Sequence, residues 1–112
     1  MSFEPENPAH QFIKSTIEEN NIVVFMKGNP DQPRCGFSSL VVQVLDHLGV
    51  EFQGVDVLQD EAIRQGIKSY TDWPTIPQLY LKGEFLGGAD IIREMFQSGE
   101  LKTALKDQGL IT

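Results

Sequence analysis

The residues from Ile22 to Gly49, IVVFMKGNPDQPRCGFSSLVVQVLDHLG, decide how the rest of the chain has to be arranged. The opening IVVFM is apolar without alternation and rich in β-branched side chains, which predicts a short strand buried on both faces. Gly28, Pro30 and Pro33 then break regular structure over 27–34. Beyond Cys35, the residues Leu40, Val41, Val44, Leu45 and Leu48 recur at helical spacing, and Gly49 supplies the stop. The unit is strand, loop, helix, with the cysteine at the helix N-terminus. A thiol there feels the positive end of the macrodipole and unpaired backbone N–H donors, both of which favour thiolate. Arg34 adjoins it, and Lys27 can fold back across the loop. Many lone cysteines are small buried hydrophobes, but the Pro, Arg and Gly around this one argue for exposure. Cys35 is the only cysteine among 112 residues, and Ser38 stands three positions on, where redox and metal loops often carry a second thiol.

Working outward, Asn7-Pro8 before Phe12, Ile13 and Ile17 fits an N-cap, a proline at N1 and an apolar stripe, predicting a first helix to about Glu19. Residues 1–6 are expected to be a flexible N-terminus and 7–112 a single domain. A second strand is expected over 51–57, followed by a short helix capped by Asp60 and carrying Ala62, Ile63 and Ile67. Trp73-Pro74-Thr75-Ile76-Pro77 is a stiff extended turn into QLYLK, and Lys82-Gly83-Glu84 turns the chain into Phe85-Leu86 as a hairpin. After Gly87-Gly88, the spacing of Ile91, Ile92, Met95 and Phe96 predicts a helix from near Ala89 or Asp90, with another turn or two from about Glu100. The sum is an α/β fold, a four-stranded mixed sheet with helices on both faces.

Composition narrows the function classes. A formal charge of −7, from 16 acidic against 9 basic residues, repels nucleic acid and anionic membranes, so neither is an expected partner. An anionic small ligand must therefore meet a local basic cluster. With one cysteine, no disulfide forms within the chain, and a reducing, cytoplasmic location is expected. No long apolar run or targeting pattern is visible, although an organelle protein whose presequence had been removed would look the same.

CGFS at Cys35 to Ser38, Lys27-Gly28 upstream, WPTIPQLY at Trp73 to Tyr80 and Gly87-Gly88-Ala89-Asp90 together resemble a monothiol glutaredoxin of the CGFS type, over almost the whole chain. The resemblance implies a thioredoxin fold, glutathione binding and a 2Fe-2S cluster bridged between two chains in a homodimer. It also implies partnership with a BolA-like protein and with apo iron-sulfur proteins as acceptors. It makes Cys35 the catalytic thiol and the iron ligand. By the same resemblance Lys27 and Arg64 contact the glycine carboxylate of glutathione, Ile76 before a cis Pro77 pairs with its cysteinyl backbone, and Gly88, Ala89 and Asp90 hold its γ-glutamyl end. Many relatives carry a cysteine where Ala89 stands here.

Ser38 forms no disulfide, so a dithiol cycle within the chain is closed and redox work needs an external thiol. A 2Fe-2S cluster commonly takes four thiolates, and two chains plus two glutathiones complete that set. Seven residues, GNPDQPR, separate Lys27 from Cys35; by resemblance this longer loop goes with feeble glutathione-disulfide exchange. The leading expectation is a cluster carrier. The alternative is a monothiol oxidoreductase acting on protein-glutathione mixed disulfides, and a third reading is a module reporting iron status. Each site residue also has a plainer role open to it. Pro77 could be trans, Lys27 and Arg64 solvated charges, Asp90 a helix cap, Trp73 loop packing and Gly87-Gly88 a turn. His10 and His47 have no partner at ligand spacing and stay outside the site.

Overall fold

Every side chain of β1 (Ile22–Met26) is buried. Strand alternation sends Ile22, Val24 and Met26 to one face of the sheet and Val23 and Phe25 to the other, so both faces need a covering layer. The computed structural model, which describes residues 3–112, supplies both layers. On one side lie α1 (Pro8–Glu19) and α3 (Glu61–Thr71), presenting Ala9, Ile13, Ile17, Ile63, Ile67 and Tyr70. On the other lie α2 (Gly36–Leu48), α4 (Ala89–Ser98) and α5 (Glu100–Asp107), with Val41, Leu45, Ile92, Leu101 and Leu105 in the core.

The sheet order is β2-β1-β3-β4, with β2 (Gln53–Asp56) parallel to β1 and with β3 (Gln78–Leu81) and β4 (Glu84–Gly87) continuing it antiparallel. β3 repeats the two-faced pattern, Leu79 and Leu81 turning toward one core and Tyr80 toward the other. The hairpin turn uses left-handed backbone at Lys82 (φ 51°) and Gly83 (φ 81°), the twist that a two-residue connection between antiparallel strands favours.

The local signals work as read. The Asn7 side chain accepts the N–H groups of Ala9 and His10, Asp60 accepts that of Ala62, and Gly49 adopts φ 71°. The expected strand over 51–57 is shorter. Asp56 ends it by accepting the Leu58 N–H at 2.9 Å, which starts a 3-10 turn at Val57–Gln59.

Met1 and Ser2, part of the expected flexible N-terminus, lie outside the described residues. Phe3 stacks on the His10 ring at 6.5 Å, and the Glu4 N–H donates to His10 Nδ1 at 3.0 Å. Gly66 permits α1 to cross α3 closely, since a Cβ there would meet Ala9 Cβ at 2.7 Å. No helix among the described residues is long and apolar enough to cross a membrane.

The setting of α1 can be tested with adjacent residues, because Ile13 is 0% and Phe12 46% exposed. Ile13→Ala is expected to cost about 2–5 kcal/mol in urea unfolding, from lost burial plus the cavity left behind. Phe12→Ala should stay within about 0.5 kcal/mol of wild type.

Candidate functional site

The loop leaving β1 is tied by backbone bonds as well as stiffened by its prolines. Arg34 N–H donates to the Lys27 carbonyl at 2.8 Å, and the Asn29 side chain accepts the N–H groups of Asp31 and Gln32. Gly28 sits at φ 89°, and a Cβ there would lie 2.5 Å from the Gln32 carbonyl oxygen, so a glycine is required. The Gly28 N–H reaches the Asp56 carboxylate at 3.0 Å, and Pro30 packs where a side chain on Gly54 would stand. The loop is thereby docked on β2.

Cys35 is the N-cap residue of α2 and is partly exposed. Its thiol is held below the ordinary thiol value. The backbone N–H of Ser38 is the largest cause; that of Phe37, the charge of Lys27 and the Ser38 hydroxyl add to it, while partial burial opposes them. The charge acting on the thiol is that of Lys27, whereas Arg34, its sequence neighbour, is exposed. Ser38 is also a structural tie. Fully buried, its hydroxyl accepts the Lys27 N–H at 3.1 Å and fastens the end of β1 to the first turn of α2.

A cavity of 460 Å³ opens beside the thiol. One wall is Lys27, Cys35 and Phe37, and a second is the Trp73 to Pro77 segment, whose Ile76–Pro77 bond is cis. The third is Gly88, Ala89, Asp90 and Ile91 at the start of α4, and Lys68 of α3 completes the lining. Seven of the eight residues singled out from the sequence thus share one cavity: Lys27, Cys35, Ile76, Pro77, Gly88, Ala89 and Asp90. Arg64 lies one turn earlier on α3, paired with Glu61 at 3.7 Å, and Lys68 is the α3 cation that reaches the lining.

Lys68, Thr75 and Phe37 were not singled out. The available signal for Lys68 was its i+4 spacing from Arg64 on one helix face. Thr75 and Phe37 lay inside the WPTIPQLY and CGFS motifs.

The local electrostatics oppose those of the chain as a whole. Two lysines and the N-termini of α2 and α4 border the cavity, while Asp90 contributes one carboxylate. Gly88 is the N-cap of α4 and offers no capping side chain; Asp90 is highly exposed and pairs with Arg93 at 3.3 Å. Trp73 both lines the cavity and packs on Phe85, with ring centroids 5.7 Å apart. Such an opening suits a small ligand with anionic groups. His10 is occupied elsewhere: Nδ1 accepts from Glu4, and Nε2 lies 2.7 Å from Ser69 Oγ.

The family model described as Glutaredoxin matches residues 22–86. The chain is 50% identical over 103 residues to the probable monothiol glutaredoxin 2 of Rickettsia typhi, covering 92% of this chain and 93% of that protein. The solution structure of a monomeric truncated mutant of Trypanosoma brucei 1-C-Grx1 matches with TM-score 0.83 at 43% identity, over 89% of this chain and 91% of that one. A buckwheat glutaredoxin-glutathione complex matches with TM-score 0.81 at 29% identity, over 93% of each chain.

Because thiolate forms as pH rises through the pKa, a depressed pKa moves the midpoint of Cys35 alkylation below that of an ordinary, unperturbed thiol. Iodoacetamide rates measured against pH should show that midpoint. Lys27→Ala should move it upward by removing the nearby charge. Ser38→Ala should move it the same way and also cost about 1–3 kcal/mol of stability, since the Lys27 N–H loses its acceptor.

Proposed function

The chain belongs to the glutaredoxin family and has the thioredoxin fold, and we propose that it binds glutathione in the cavity beside Cys35 and carries a 2Fe-2S cluster as cargo between two chains. The observation that supports the reading is a thiol biased toward thiolate at the end of a cavity bordered by lysines and helix N-termini in an otherwise acidic chain. Glutathione offers two carboxylates, an ammonium and a thiol. Lys27 and Lys68 would take the glycine carboxylate, with Arg64 one turn away adding its field. The backbone of Ile76, before Pro77, would pair with the cysteinyl unit. The N-terminus of α4 at Gly88 and Ala89 would take the γ-glutamyl carboxylate, and Asp90 its ammonium. This seating would direct the glutathione sulfur toward Cys35.

One chain supplies one thiolate, so the cargo requires two copies of Cys35 and two glutathione sulfurs. Because the glutathiones are held without covalent bonds, the four-thiolate set comes apart when they leave, which suits delivery to apo iron-sulfur proteins. A BolA-like protein in place of the second chain would convert carrier to regulator. The lowered thiol pKa also favours a second reading, glutathione-dependent exchange. In it the Cys35 thiolate attacks the glutathione sulfur of a protein mixed disulfide, the protein thiolate leaves and is protonated, and a second glutathione thiolate frees Cys35 as oxidised glutathione forms. The chain has no second thiol to assist that last step.

Anaerobic reconstitution with iron and sulfide, with and without glutathione, tests the reading by iron content and native mass. The expected product is a glutathione-dependent dimer with about one iron per chain, absent in Cys35→Ser. Glutathione binding without any cluster would leave thiol exchange as the function. In calorimetric titration, Lys68→Ala should weaken glutathione binding by roughly three- to tenfold.

A further inference from the structure

Gln78 is a polar side chain with 0% exposure, on the first residue of β3 and next to Pro77. Its amide nitrogen donates to two carbonyls of the cavity wall, Trp73 O at 3.2 Å and Thr75 O at 3.1 Å. Two of the five residues of that wall, Pro74 and Pro77, have no N–H, so the segment has little capacity to close on itself by backbone bonds. The strand supplies the missing donor. The amide is itself oriented from below: Tyr80, two residues on and therefore on the same face of β3, donates its hydroxyl to Gln78 Oε1 at 3.2 Å. The Tyr80 ring is held between Phe25 and Phe85, with ring centroids 5.5 Å away in each case. Across the cavity floor, a Cβ built on Gly88 would lie 3.4 Å from both the Pro77 carbonyl oxygen and Trp73 Nε1. The second and third walls are therefore in contact, and displacing the segment disturbs both.

We infer that Gln78 is a positioning residue for ligand binding: its amide, aimed by Tyr80, holds the Trp73 to Ile76 backbone where an extended peptide ligand can pair with it. The role rests on the glutathione reading and adds to it a buried residue that does not line the cavity. Core burial alone would make Gln78 matter for stability and leave the affinity of the folded protein unchanged. Positioning predicts loss of affinity with an unchanged Cys35 thiol, whose N–H donors belong to α2.

The test is calorimetric titration of reduced full-length protein with glutathione, alongside urea unfolding and the pH profile of Cys35 alkylation. Gln78→Leu is expected to weaken binding about tenfold and Tyr80→Phe about threefold, with the alkylation midpoint unmoved. Gln78→Glu preserves shape and discriminates further. As a carboxylate it has no donor and repels both carbonyls, whereas once protonated it regains one O–H. Burial raises its pKa, so its deficit relative to wild type should narrow between about pH 8 and about pH 5. Should Gln78→Leu fail to fold, Gln78→Glu and Tyr80→Phe decide the matter. Unchanged affinity in these variants, beside a wild type that binds glutathione, would overturn the positioning role alone. A wild type that does not bind glutathione would overturn the reading beneath it as well.

Discussion

Strand β1 has no face for water, and most of the architecture follows from that constraint. Five consecutive buried residues, alternating in direction, need an apolar layer above and another below. The chain meets the need with α1 and α3 on one side and α2, α4 and α5 on the other. The polar work is thereby pushed to the end of the strand, where Met26 passes into Lys27 and the loop brings Cys35 to the start of α2. The cavity and its thiol lie where the central strand runs out of cover.

At that end one hydroxyl serves two purposes. Ser38 closes the join between β1 and α2 by accepting the Lys27 N–H, and together with its own backbone N–H it favours the Cys35 thiolate. A thiol at this position would be a weaker acceptor for that buried N–H. The residue that removes a dithiol cycle from the protein's repertoire therefore also strengthens the scaffold of the remaining thiol. The field around it is local. A chain with net charge −7 still presents two lysines and two helix N-termini to a single cavity, because short-range contacts outweigh distant, screened charge.

The cavity walls come from segments far apart in sequence, and one of them has little means of supporting itself. The Trp73 to Pro77 segment, poor in N–H donors, depends on an amide that rises from the core beside it. The aromatic cluster of Phe25, Tyr80 and Phe85 thus reaches the cavity wall through Gln78, joining core packing to the shape of a surface opening.

Much of this was legible in the sequence, because the signals are local. Apolar periodicity marked the helices and the buried strand, Asn7, Asp60 and Gly49 marked helix ends, and motif blocks marked most of the cavity lining. The limits of β2 were less legible, since the Asp56 carboxylate ends the strand by bonding forward to Leu58 and also holds Gly28 across space. The α3 cation of the lining was not legible either: the resemblance pointed to Arg64, whereas Lys68, one turn further along α3, lines the cavity. By itself the sequence determined an α/β chain with helices on both faces of its sheet and one cysteine at a helix N-terminus, because propensity, capping and composition act within a few residues. The tertiary structure alone decided that Lys27 and not Arg34 acts on the thiol, that Ser38 is a buried tie, and that Gln78 supports the cavity wall. Each of those outcomes depends on distances between segments that the chain brings together only when both faces of β1 are covered.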